Sequence, residues 1–192
     1  ISHFEPNQLE PLELLLMLSF TEDAMRFRIP VREGEVRSNI HRTQLMKRVY
    51  DLELDPLRLV EPLLKYSIPM PKAKTAAIKK TLALYDWITE METADVERKY
   101  NLHAGMIRAM AGDAAWLVRT FIACLSRNQW GDDKLRALER LAERLYYGVS
   151  TAGLAFTRVQ VAGLGRNHIH GLVHAGFAKP EEMRGVSVME LS

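Results

Sequence analysis

Alternating β-branched runs bounded by turn residues do not occur in this sequence, which excludes a sheet as the organising element. Apolar residues instead recur at three- and four-residue spacing, so the expected fold class is all-α. A single cysteine, Cys124, excludes an internal disulfide framework and fits a reducing interior. It lies in an apolar stretch and is expected in the core. No apolar run approaches the roughly 18 to 20 residues needed to span a bilayer, and the first residues lack a signal-peptide pattern. The expectation is a cytoplasmic protein with no membrane partner. Charge of one sign is missing as well. Lys and Arg total 26 against 24 Asp and Glu, a net charge of +2 that gives no global polyanion signal. No G-x-x-x-x-G-K-[ST] phosphate loop is present, so this chain does not hydrolyse ATP by that chemistry. A chain opening on Ile1 rather than methionine is read as part of something longer.

What is present is 192 residues, 47% of them hydrophobic, enough for one good core or two small ones. Charge is distributed unevenly. Residues 1–25 carry five acids and no Lys or Arg, 26–48 hold seven basic residues against two acids, and 72–80 hold four lysines unopposed. Such clusters are basic patches or, more commonly, solvated helix faces. Pro11 and Pro56 sit where first helical turns begin, the latter behind Asp55, giving helices of roughly 11–20 and 56–66. A further helix is expected over 35–50. Two prolines stop helix formation through Tyr66–Pro71, and a long helix follows over about 73–91 with Trp87 as a core anchor. Thr93 is expected to cap a short helix to about Tyr100, with a long helix from about Ala104 to Ser126 after the turn at Asn101 and Leu102. Asn128 to Asp133 interrupts the periodicity, and a charged amphipathic helix spans 133–147, with Gly148 as its C′ residue.

The last 45 residues read as a separate compact unit: a helix from about Thr151 to Val159, a glycine-rich turn, a helix from Arg166 to Ala175 ended by Gly176, and a short helix opened by Pro180. The turn Val161-Ala162-Gly163-Leu164-Gly165-Arg166 has the pattern of a helix-hairpin-helix. Its glycines let the chain turn with amides exposed, and the following helix adds its positive end at the same place. That combination suits phosphate and ignores base identity. Leu164 is expected to plug the inside of the turn. A dinucleotide fingerprint needs a preceding strand, which is not visible. A helix-hairpin-helix glycosylase needs a downstream catalytic Asp, and none follows Asp133. Binding rather than catalysis is left, with no catalytic residue, metal or cofactor expected in this chain. His168, His170 and His174 raise the question of a metal site, but the i, i+2 pair does not share a helix face and no carboxylate is near in sequence.

From Leu12 to Met183 the chain resembles the C-terminal region of the archaeal Hjm-type DNA repair helicases, relatives of HelQ and of the polymerase theta helicase. Four passages carry the resemblance: Leu12 to Leu18, Lys80 to Glu90, Asp95 to Arg108 leading to Ala115-Trp116-Leu117, and Tyr147 through Gly176. The second and third are similar to the family's K-T-A-L-L-Y-D-W-I-N-E and I-E-x-K-Y-x-I-x-x-G-D-L-R-R-I-V-x-T-A-E-W-L. The resemblance implies a superfamily 2, ATP-dependent helicase moving 3′ to 5′ on one strand, with two motor domains, a winged helix, a helical ratchet domain and a terminal helix-hairpin-helix. This chain corresponds to the last two, at 1–147 and 148–192. ATP and Mg are expected only in the motor domains. The implied partners are DNA, mainly single-stranded or forked, and the chain's own motor domains, in a monomeric, nucleoid-associated protein.

In the family an Arg and a Trp of the ratchet helix stack on bases of the moving strand. The tryptophan carries over to Trp116, with a core position as the competing reading. The family's R-R pair reads Arg108-Ala109 here. Eight residues rotate about 80° past a common face, so Arg108 is offset from Trp116 and Arg119, one turn beyond, is a substitute. In the hairpin the family's G-R-V-R-A-R reads Gly165-Arg166-Asn167-His168-Ile169-His170. Arg166 is kept, while His168 and His170 replace permanent cations with groups mostly neutral at pH 7. The expected DNA contacts are therefore Trp116, Arg108, Arg119, Gly163, Leu164, Gly165, Arg166, His168 and His170. The competing class is a protein-interaction module whose bundle docks a helicase motor or repair partner. A transcription factor is a weaker third reading, since no base-reading Arg/Asn/Gln cluster follows the turn at Asn101.

Overall fold

Pro11 occupies the first turn of α1 (Pro11–Ser19), where a missing N–H removes no helical hydrogen bond, and Glu13 in that turn complements the helix dipole. Thr21 caps α2 (Glu22–Arg26) by accepting from the Ala24 amide. The computed structural model describes residues 10–55, 70–126, 131–159 and 161–183. The helix expected over 56–66 and the residues Asn128, Gln129 and Trp130 lie outside the described residues.

The helix expected over 35–50 is two, α3 (Glu33–Ser38) and α4 (Ile40–Asp51), separated by Asn39 in the left-handed region at φ 50°. Asn tolerates that conformation better than most residues. The break has a purpose in packing. On a continuous helix Glu35 and His41 would lie roughly 120° apart, whereas here Glu35 Oε1 meets both His41 Nε2 and Lys79 Nζ at 2.8 Å. Burial alone would raise the Glu35 carboxyl, but hydrogen bonds from Lys79, the Arg32 amide and His41 outweigh it and hold it at about 2.

α5 (Lys72–Ile88) is the central helix. It is buried nearly all round, through Ala77, Ile78, Leu82, Leu84, Trp87 and Ile88, and α1, α4 and three later helices pack against it. Two of its four lysines are therefore withdrawn from any basic face. Lys79 donates to Pro30 O and Glu35, Lys80 donates to Ala24 O, and both are buried. Desolvation lowers the Lys80 pKa. Buried Asp86 accepts from Arg48 (2.9 Å), Lys99 (2.6 Å) and the Tyr100 hydroxyl (2.7 Å), which ties α4 and α6 (Thr93–Tyr100) to α5. Burial, with Asp86 alongside, pushes the Tyr100 hydroxyl far up.

α5 stops at Ile88, earlier than the expected residue 91. Thr89 Oγ1 bonds back to the Tyr85 carbonyl and Glu90 adopts φ 70°. Glu92, rather than Thr93, then occupies the N-cap position of α6. α7 (Ala104–Ser126) and α8 (Asp132–Tyr147, behind Gly131) form an antiparallel pair whose facing stripes are Ile107, Met110, Ala111, Ala114, Ala115 and Val118 on one side and Leu138, Leu141, Ala142 and Leu145 on the other. α7 is long and apolar enough to cross a membrane by composition alone; its apolar stripe is the one packed in the bundle. Cys124, expected in the core, is exposed, because it lies about 100° round the helix from buried Leu125.

Gly148 ends α8 at φ 70°, and a Cβ there would sit 2.3 Å from two ring atoms of Trp87. Trp87 Nε1 donates to Leu145 O at 3.0 Å, so the indole seals the end of the bundle. Beyond it a second hydrophobic cluster forms from Val149, Leu154, Phe156 and Ile169, with Leu164, Leu172 and Phe177 packed against it. The segment expected as an α-helix over 151–159 is a 3-10 helix, Ala152–Arg158. Gly153 there is wedged so close to Val149 and Ile169 that a Cβ would come within 3.0 Å of both. α9 (Arg166–His174) and a 3-10 turn at Pro180–Met183 complete the described chain.

Candidate nucleic-acid interface

Two surfaces carry the residues singled out from the sequence, and the fold separates their roles. The first is the outer face of α7. With Ala115 and Val118 buried beside it, Trp116 points outward and is 60% exposed, which decides against the core reading. A large exposed indole on a rigid helix needs an external partner to be buried. Gly112, Ala109 and Gly105 lie four, seven and eleven residues before it, on the same side of the helix. A Cβ at Gly105 or Gly112 would meet nothing within 4 Å, so the surface beside the indole is flat and open.

Arg108 and Arg119 flank this face. Eleven residues bring them to within roughly 20° of one another and about 16 Å apart along the axis. Both are exposed, and Arg108 has no ion-pair partner among the described residues. The Arg119 guanidinium sits 5.8 Å from the Tyr146 ring centroid, and Tyr146 and Tyr147 meet edge to face at 5.0 Å. Sequence reasoning passed over these two tyrosines, which are 59% and 43% exposed. The signal was available: residues 146 and 147 fall about 100° and 200° round from Leu145 and so leave the buried stripe of α8. Trp116, Arg119, Tyr146 and Tyr147 together present aromatic faces and delocalised positive charge.

The second surface is the hairpin. Gly163 takes φ 84°, the Leu164 amide bonds to Val161 O at 3.2 Å, and the Gly165 amide bonds to Gly163 O at 2.8 Å. Leu164 is half-buried against the second cluster, inside the turn. Two turn amides are therefore used internally. The outward donors are the first-turn amides of α9, at Arg166, Asn167 and His168, which no i−4 carbonyl can satisfy within the helix. His168 is exposed beside them.

Arg166 does not join them. Its guanidinium turns inward and donates to Gly148 O (2.6 Å), Thr93 Oγ1 (3.1 Å), Trp87 O (3.1 Å) and Met91 O, with its centre 4.3 Å from the Trp87 ring centroid. The side chain expected to grip phosphate instead pins α9 to the end of α5 and the start of α6. Burial pushes it down to about 10, with Glu90 and Glu92 opposing and the nearby Arg108 adding to the shift. His170 also turns inward, onto Glu90 and His174, away from His168. The hairpin thus keeps its amides and His168, but neither Arg166 nor His170 adds charge to its outer face.

Comparison with known proteins gives these surfaces a context. A family model described as archaeal helicase, domain 4 matches residues 12–148. The chain is similar to proteins named ATP-dependent DNA helicase Hel308: 26% identical over 115 residues in Pyrococcus horikoshii, covering 60% of this chain and 16% of that protein. The corresponding values are 25% over 114 residues in Caldivirga maquilingensis (59% and 15%) and 29% over 106 residues in Thermococcus kodakarensis (55% and 9%). The aligned stretch thus spans less than a fifth of each relative. The match takes in α1 to α8, including the face that bears Trp116, and by it the chain belongs to the archaeal helicase domain 4 family.

Proposed function

We propose that this chain binds single-stranded DNA along the outer face of α7, as the accessory region of an ATP-dependent 3′ to 5′ DNA repair helicase. Trp116 stacks on a base, Arg119 and the Tyr146–Tyr147 pair extend the platform, and Arg108 meets phosphate. Aromatic stacking accepts every base and contributes roughly 1 to 3 kcal/mol each, which suits a surface over which a strand must slide. The observation that carries the reading is the indole of Trp116, held 60% exposed on a helix whose opposite face is core.

The hairpin is a secondary contact. Its first-turn amides and His168 take backbone phosphate without reading sequence, and the missing outward cations make it weaker than the α7 face. In the same reading the parent protein is a cytoplasmic, nucleoid-associated monomer, and ATP and Mg are bound by its motor domains.

Salt dependence of oligothymidine binding tests this proposal. Affinity should fall log-linearly with salt concentration, with a slope of about −1 to −3 for the few phosphates that Arg108, Arg119 and the hairpin reach. Undetectable binding at 20 mM salt rejects it and favours a surface that docks protein.

A further inference from the structure

The turn after α5 and the last two turns of α9 bring together three groups that could not be associated from sequence. Glu90 leaves α5 at φ 70° and aims its carboxylate at α9. His170 and His174, four residues apart, project from one face of that helix. One ligand atom from each of the three lies within 4.8 Å of the others. His174 Nε2 is 3.8 Å from Glu90 Oε2, and the two imidazole centroids are 4.4 Å apart.

Two atoms of this cluster lack what their burial requires. Glu90 Oε1 and His170 Nε2 are shut off from solvent and have no hydrogen-bond partner among the described residues. An orphaned buried acceptor is costly to leave unsatisfied. Two such atoms from different elements, converging on a third ligand, are what a bound cation would satisfy together.

We propose that Glu90, His170 and His174 form a site for a zinc-type divalent metal ion, which staples α9 to the loop after α5. Two imidazoles and one carboxylate suit a borderline-soft ion such as zinc rather than magnesium or calcium, which prefer all-oxygen shells. Tetrahedral ligand atoms stand roughly 3.4 Å apart, so the cluster closes by about 1 Å on binding. His174, with its side chain 65% exposed, has room to move that far. The fourth position faces the recess lined by Thr89, Met91, Glu92 and Asp95 and takes water.

Charge around the site favours a cation. Glu92 and Asp95 line the recess, and Arg48 is committed to Asp86. Arg166 and Arg144 are the opposing positive groups near Glu90, and their guanidiniums are turned to backbone carbonyls, Arg166 to Trp87 and Met91 and Arg144 to Ile88. The metal bridges the same two parts of the fold as Arg166. Its role is structural, a second pin beside the first.

The test uses the full chain, tag-free, stripped with chelator and titrated with zinc by calorimetry, with cobalt as a spectroscopic probe. One zinc per chain is expected, with tetrahedral cobalt absorption in the visible and a rise in Tm on adding zinc. Glu90→Gln and His174→Ala, both at positions that tolerate change, should each weaken zinc at least ~10-fold and abolish the Tm rise, while His168→Ala leaves both unchanged. His170→Ala should likewise weaken zinc at least ~10-fold and abolish the Tm rise. No stoichiometric zinc in the parent chain overturns the proposal, and so does binding that survives in Glu90→Gln and His174→Ala.

Discussion

Replacing Arg166 with alanine separates two roles that its sequence position cannot distinguish. As a phosphate cation, Arg166 would carry DNA affinity and little stability. As placed here, its guanidinium supplies four hydrogen bonds to oxygens of Trp87, Met91, Thr93 and Gly148, and it lies over the Trp87 ring. Hydrogen bonds from a charged donor contribute roughly 1.5 to 3 kcal/mol each, and a partly desolvated cation–π contact about 1 to 2. Much of that sum is offset by the desolvation of the guanidinium that the variant no longer bears. A net loss of about 3 kcal/mol is expected, the range for breaking a buried charged network. It should appear as opening of α9 from the bundle, so amide exchange at Ile169 to Val173 should quicken roughly a hundredfold while α5 is unaffected. Arg166→Lys should recover little, since one ammonium cannot reach oxygens spread over four residues. Unchanged α9 exchange in Arg166→Ala, with a drop in single-stranded DNA affinity and a salt slope lower by about one, would show instead that Arg166 serves as a phosphate cation.

Gly148→Ala should destabilise by about 3 kcal/mol in chemical denaturation, combining the left-handed backbone with a methyl driven into the Trp87 ring; a loss under 1 kcal/mol would show that the junction can yield. Glu35 is held at about 2 against an unfolded value of 4.5, so its contribution is present above pH 4.5 and is lost as pH falls toward 2. On the order of 2 kcal/mol is expected, reduced for the water that still reaches the carboxylate. Denaturation of the parent chain and Glu35→Gln between pH 2 and 6 should converge at the acid end. Arg119→Ala should leave Tm within about 1 °C and lower the salt slope of DNA binding by about one.

Much of the bundle is legible in the sequence because helical periodicity and start signals are local. Ala104–Ser126 and Pro11–Ser19 are read almost to the residue from apolar spacing and a proline. The misreadings have a common cause, tertiary demand. Asn39 breaks a helix so that Glu35 can reach Lys79, which lies 44 positions away. Lys79 and Lys80 look like a basic face and are interior, because the fold supplies carbonyl and carboxylate partners from the segments before and within α3. Arg166 follows a glycine turn in the manner of a phosphate ligand, yet its acceptors come from residues more than 70 positions earlier and from Gly148. The histidines had no carboxylate near in sequence, and Glu90 reaches them only through the packing of α9 on the end of α5. Trp116 was readable as either core or surface, and it is the burial of Ala115 and Val118 that turns it outward.

In the proposed function, α7 offers Trp116 to a single strand of DNA. Fluorescence anisotropy of a labelled oligothymidine against the parent chain and Trp116→Ala, at one fixed low salt concentration, measures it directly. An exposed indole carries little of the core, so Tm should change by no more than about 2 °C. Affinity should fall roughly 5- to 150-fold, the equivalent of one lost stacking contact. Equal affinity of the two proteins, or a fall in Tm without a fall in affinity, would contradict the claim.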